Sequence, residues 1–307
     1  MAQQPSPTVR QRELGQRLRR LRHELDLTVD AVADKLLCSA TKISRIETGS
    51  RRASLRDVRD LCRLYDVGEA ATAELMSLAR QAREPGWYAQ YEDLDLAPYI
   101  GMEQEATAIT FFSNYFIHGL LQTEDYARAV IKAIAPKIDQ KVFKDRVEAR
   151  MRRQELLEQP TRPRFRSLMD EAVLHREVGG PKVMIDQLGK IIQLVAEEKA
   201  TIQIIPFSAG AYASADGNFS LLEFTNSDVP DLVYVEGLTS HLYQERETEI
   251  RRYREALEYL RDAALSPRDS LRLVEKIRAD HSKTIAAGGS HVRSEGEIDN
   301  GVIRSDG

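Results

Sequence analysis

Three sets of side chains in this 307-residue sequence carry enough chemistry to be asked what they do. The first is Asp170, Glu171 and His175, which follow an expected strand at Arg164 to Met169. Carboxylate and imidazole together can share acid–base work or hold a metal. The structural alternative is stronger, because carboxylates after a strand commonly cap or salt-bridge the next helix, and a histidine beside Arg176 and Glu177 is usually solvated. His241 and Glu236 are similarly isolated. No phosphate-binding glycine loop, no HExxH and no Gly-x-Ser-x-Gly occurs, so neither catalysis, metal nor cofactor is expected. The second set is Cys38 and Cys62, the only thiols, which match no metal spacing or disulfide framework and read as small apolar residues. The third is Ala40, Thr41, Ser44 and Arg45. An arginine can grip guanine O6 and N7 with two hydrogen bonds, and Thr41 or Ala40 can meet a thymine methyl.

That third set needs a helix to present it. Ile43 and Ile46 would face inward from a helix capped by Ser39 and stopped at Gly49, leaving the four residues outward. Before it, Leu14, Leu18, Leu21 and Leu25 recur at 4, 3 and 4, the stripe of an amphipathic helix. Thr28 caps a second helix with Val29, Val32, Ala33 and Leu36 inside. A fourth helix follows Ser54, and Gly68 precedes a fifth, near Glu69 to Ala82. Residues 1–65 hold 14 Lys and Arg against 8 Asp and Glu, a net +6, which leaves −10 on the remainder of a chain of net charge −4. Such asymmetry fits a basic DNA-contacting head on an acidic body.

The segment Leu27 to Gly49 closely resembles the helix-turn-helix of the Cro/C1 (XRE) regulators, with Ala33, Ile43, Ile46 and the Ile-Glu-x-Gly ending at that family's positions. The resemblance implies that the third helix enters the major groove, with Ala40, Thr41, Ser44 and Arg45 at the bases. Thr28, Ser39, Lys42, Arg51 and Arg52 fit phosphate contacts, as helix N-terminal hydroxyls and mobile cations do. It also implies a structural pair between Arg22 and Glu47, and binding to double-stranded DNA as a homodimer. Val29 stands where the family often has Gln. The competing expectation for the head is a helical bundle that binds protein.

Pro85 and Gly86 mark a boundary, giving an expected helix-turn-helix domain at 8–84 and a second domain at 87–280. Helices are expected near Gly101 to Phe112, Thr123 to Ala133, Lys141 to Leu157, Lys182 to Glu198, Leu242 to Asp262 and Pro267 to Ala279. Strands are expected at Arg164 to Met169, Thr201 to Ile205, Phe219 to Phe224 and Asp231 to Val235. The fold class is therefore mostly α, a five-helix head followed by an α+β domain with a small sheet. Residues 286–307 are Gly, Ser and charge, expected to be a disordered tail. The run Gly119 to Arg128, with Arg146 to Arg150, Met169 to Leu174, Ile202 to Pro206 and Gly217 to Phe219, resembles an uncharacterised domain that follows such heads in actinobacterial regulators, many encoded beside a small partner protein. Members commonly have Pro where this chain has His118. Phe111, Phe112, Tyr115 and Phe116 are core or the lining of a ligand pocket.

The expected function is a cytoplasmic, nucleoid-associated transcription regulator whose C-terminal domain senses a small ligand or a partner protein. An antitoxin-like protein that binds a small co-encoded partner and regulates its own operon is the alternative, and an enzyme with a DNA-binding head a third. No membrane segment or leader is expected.

Overall fold

The structure is a computed structural model that describes residues 7–91, 96–212, 217–225, 228–237 and 240–291. The head is five helices: α1 (Pro7–Glu24), α2 (Val29–Lys35), α3 (Ala40–Glu47), α4 (Leu55–Leu64) and α5 (Glu69–Gln81). Thr28 and Ser39 cap α2 and α3, their hydroxyls accepting from the amides of Ala31 (3.1 Å) and Lys42 (3.2 Å). Ser54 and Asp57 form a reciprocal capping box on α4. Leu14, Leu18, Val32, Ala33, Ile43, Ile46, Leu61 and Cys62 fill one core. Cys62 is thus buried, whereas Cys38 is half-buried at its edge. Leu25, the last member of the expected first stripe, falls beyond α1 and is 46% exposed.

The second domain is built on a six-stranded sheet in the order β3-β2-β1-β4-β5-β6. β1 (Ala108–Ser113), β2 (Arg164–Asp170) and β3 (Thr201–Ile205) run parallel, while β4 (Phe219–Glu223), β5 (Leu232–Glu236) and β6 (His241–Gln244) are antiparallel. Two strands lie where helix was expected. The segment expected as one helix from Gly101 to Phe112 divides into α6 (Ala97–Glu103) and the central strand β1, and β6 occupies the start of the expected helix at Leu242. Ala-Ile-Thr-Phe-Phe-Ser is a β-branched and aromatic run, and as a central strand it is covered on both faces, so it shows no period-2 signal.

Around the sheet lie α7 (Glu124–Ile134), α8 (Gln140–Arg153), the single turn α9 (Ala172–His175), α10 (Pro181–Ala196), α11 (Glu247–Ala263) and α12 (Pro267–His291). Ile109, Phe165, Met169, Ile204 and Leu222 face α10 and α12 in one core. Phe112, Leu168, Ile205, Phe219 and Val233 face Ile250, Leu257 and Leu260 of α11 in the other. Helix α12 runs through residues 286–291, the start of the expected tail; residues 292–307 lie outside the described residues.

Head and second domain share α1. Its first turn contributes Val9 to the core of the sheet domain, while Leu14 and Leu18 belong to the head. Arg12 pairs with Glu245 beyond β6. Arg17 and Arg20 both grip Asp228 between β4 and β5, Arg17 at 3.1 Å. Thr8 shares a hydrogen bond of 3.0 Å with Tyr88, and Trp87 lies under the guanidinium of Arg152 on α8 at 4.7 Å.

Candidate nucleic-acid interface

Helix α3 is held from behind by three devices. Gly15 of α1 passes so close that an added Cβ would sit 2.5 Å from the carbonyl oxygen of Ile46 and 2.6 Å from that of Glu47. Arg22 and Glu47 are both buried, and the guanidinium donates to both carboxylate oxygens, at 2.7 and 2.8 Å. Two charges removed from water are tolerable only with such paired geometry. Arg22 also donates to the carbonyl of Leu27 (2.7 Å), closing the α1–α2 turn, and the Glu47 bond raises its pKa. The third device is Lys42, whose Nζ lies 2.5 Å from Asp57 in the α4 capping box.

The free face of α3 is therefore narrower than its sequence suggests. Thr41, Ser44 and Arg45 are exposed. Ala40 is half-buried and packs on the head core, and Lys42 is committed to Asp57. Lys42 was expected at phosphate; the structure places it between α3 and α4 because a carboxylate waits there at the N-terminus of α4. Thr28 and Ser39 are exposed, and although each hydroxyl oxygen accepts a capping bond, its proton remains able to donate. Arg51 and Arg52 are exposed just beyond α3, and the Arg51 amide is tied to the carbonyl of Arg45 at 2.8 Å. Three exposed guanidiniums and four exposed hydroxyls thus lie on and around α3, the composition of a surface that reads bases and holds phosphates. Val29 packs inward at the start of α2, leaving Thr28 as the polar group there.

The charge asymmetry has a second use. Arg12, Arg17 and Arg20 face carboxylates of the sheet domain, so part of the basic excess of the head joins the domains rather than meeting DNA. Sequence reasoning missed this, since nothing in α1 distinguishes an arginine aimed at phosphate from one aimed at Asp228. It also missed Gly15, whose only signal is a glycine inside a helical pattern.

Elsewhere, the carboxylates and imidazole singled out in the sequence are hydrogen-bonded to their neighbours. Asp170 accepts from the Ala172 amide (2.7 Å) and from the Tyr212 hydroxyl (2.5 Å); Glu171 accepts from the Phe207 amide (2.8 Å) and lies 3.2 Å from His175. Among the described residues no group of three or more His, Cys, Asp or Glu is arranged to hold a metal. Of the four aromatics, Phe112 lies in the core under α11, Phe116 packs against the core facing α10 and α12, Phe111 meets His118 with ring centroids 4.4 Å apart, and Tyr115 is 40% exposed.

The Gly119 to Arg128 run is a crossing point for hydrogen bonds. Gln122 donates to the carbonyl of Ile117 (2.7 Å) and accepts from Arg150 (3.1 Å). Gln154 donates to the carbonyls of Gly119 and Gln122, and Gln187 joins Leu121 and Thr123 to α10. His118 accepts from the Leu120 amide at Nδ1 (3.2 Å), which leaves its proton on Nε2, 3.5 Å from the Tyr99 hydroxyl. Burial, then the neighbouring charges of Arg153 and Arg150, hold this imidazole neutral, its pKa well below the ordinary histidine value. Glu103 is fully buried and pairs with both nitrogens of Arg153 it can reach, at 2.7 and 2.9 Å. Arg150 has no such partner, and burial pulls its pKa down to about 10.

No helix among the described residues is long and apolar enough to cross a membrane. No curated protein and no solved structure matches the chain. Residues 13–75 match a helix-turn-helix domain, which carries the assignment of the head as a DNA-binding module. Residues 96–276, more than half of the chain, match the domain of unknown function DUF5753, spanning α6 through the first turns of α12, and the protein therefore belongs to the DUF5753 family, with a helix-turn-helix domain in front.

Proposed function

We propose that this protein is a sequence-specific transcription regulator of the Cro/C1 type that binds its operator as a homodimer and acts without catalysis. The observation that carries the reading is the outward face of α3, where Thr41, Ser44 and Arg45 are exposed on a helix locked by the buried Arg22–Glu47 pair. A single helix of this length reads few base pairs, so two copies on half-sites about one helical turn apart supply the needed specificity. The DUF5753 domain receives the signal, a small molecule in preference to a co-encoded protein. The contacts of Arg12, Arg17 and Arg20 with that domain support this role, since a change at the sheet edge reaches α1 directly.

The test is genome-wide mapping of bound fragments, followed by mobility shift of one fragment against random DNA. A shift that random DNA competes as well as the mapped site at moderate salt sinks the reading.

A further inference from the structure

A cavity of about 500 Å³ opens at the starts of β1, β2 and β3 on the α11 face of the sheet. Strand alternation fixes its floor. Registry puts Thr110 and Thr201 on either side of Arg166, and Ala108 beside Arg164, with Glu223 next to Ala108. Arg261 reaches in from the end of α11, and Arg162 stands at the rim.

Five cations and two carboxylates line this space, the carboxylates being Glu198 and Glu223. Lys199 is already bound to Glu158 (2.6 Å) and Glu197 (2.7 Å), so it adds little free charge. The arginines differ. The Nε atoms of Arg166 and Arg261 are buried and meet no hydrogen-bond partner among the described residues. Burial, then the like charges of Arg261 and Arg164, lower the Arg166 pKa, with only Glu223 opposing. Buried guanidinium donors left unmade are costly, and a protein that crowds like charges into one concavity gains when an anion enters it.

We propose that this cavity binds the phosphate of a small phosphorylated metabolite, gripped by Arg166 and Arg261 with the hydroxyls of Thr110 and Thr201 beside them. Guanidinium forks match phosphate oxygens in pairs, and more than one converging arginine suits a dianion better than a monocarboxylate. The volume lies within the range of small-ligand sites. The site rests on the regulator reading only in being named as its input. Glu223 closes β4 at this end, and the chain beyond it leads to Asp228, which holds Arg17 and Arg20 of α1.

The experiment is calorimetric titration of the full chain with inorganic pyrophosphate at constant ionic strength, without DNA, on the wild type, Arg166→Gln, Arg261→Gln and, as control, Arg251→Gln on the exposed side of α11. Expected is one pyrophosphate per chain, binding weakened about tenfold or more in the first two variants and unchanged in the third. Without ligand, Arg166→Gln should melt no lower than wild type, because it relieves repulsion instead of breaking a bond. Equal affinity across the set, absence of binding, or a ligand-free Arg166→Gln that melts well below wild type overturns the assignment. So does displacement of pyrophosphate by random duplex DNA, which would make the cleft a backbone groove. A protein that binds pyrophosphate here but ignores operator DNA would sink the regulator reading and leave the site standing; one that binds the operator but not pyrophosphate would do the reverse.

Discussion

Arg45 and Lys42 lie three residues apart on α3, yet the structure gives them different work. Arg45→Ala should lose about 1–3 kcal/mol of preference for the cognate fragment over a mismatched one, because a lost bidentate contact to a base is sequence-specific. Arg51→Ala should weaken binding to every sequence and reduce the salt slope by about one. Lys42→Ala should leave that slope alone and lower stability instead, since its ammonium serves Asp57. Competition shifts at several salt concentrations, with urea melts of each variant, separate the three. His118 offers a pH test. Its folded pKa lies below the ordinary value of about 6.5, so the unfolded chain binds the extra proton, and stability held above that pH is lost as pH falls toward the folded pKa. Wild type should therefore lose up to about 1.4 kcal/mol per pH unit more than His118→Gln below pH 6.5, read from melts at matched ionic strength. Identical pH profiles would mean that the imidazole is charged in the fold.

At the scale of elements, the turn between α2 and α3 contains a local conflict. Leu37 closes α2 at φ 51°, in the left-handed region, and is 94% exposed, so it has strain without burial to offset it. Leu37→Gly should raise the unfolding free energy by about 1 kcal/mol with DNA affinity unchanged, measured by urea denaturation and mobility shift. The head was otherwise legible from sequence, because α2, α3 and α4 each announce themselves twice: Thr28, Ser39 and Ser54 cap them, and stripes such as Ile43 and Ile46 bury one face. The sheet domain was less so. β2 through β5 stand between turn residues and were expected, but β1 is covered on both sides and β6 has only four residues beside a long helix. Of the polar knot around Gln122, Gln154 and Gln187, only Gln122 lay in a run the sequence singled out, and its bonding was not legible, since the partners are backbone carbonyls brought together by the fold. The outward residues of α3 were named from its period together with the helix-turn-helix resemblance, while the Lys42–Asp57 pair was not legible because the two partners belong to different helices.

For the whole molecule, the decisive fact is that α1 belongs to both domains. Val9 lies in the sheet-domain core and Leu14 and Leu18 in the head core, on one continuous helix. The electrostatic link is unequal. Arg17 and Arg20 are 31% and 55% exposed where they meet Asp228, so solvent screens both pairs and Asp228→Asn should cost about 1 kcal/mol. Arg12 is buried against Glu245, and burial lowers its pKa despite the carboxylate beside it, so the guanidinium depends on that partner. Glu245→Gln should cost about 1–3 kcal/mol by weakening the partner of a buried charge. If α1 transmits between domains, this loss cannot stay in the sheet domain. Native-state hydrogen exchange should then show the amides of Leu18 in the head and Ile109 in β1 losing protection together in Glu245→Gln, whereas independent domains would lose it at Ile109 alone. A joint loss would also explain why Arg12, Arg17 and Arg20 of α1 are turned toward carboxylates: the same arginines that make the head basic fasten it to the sheet domain.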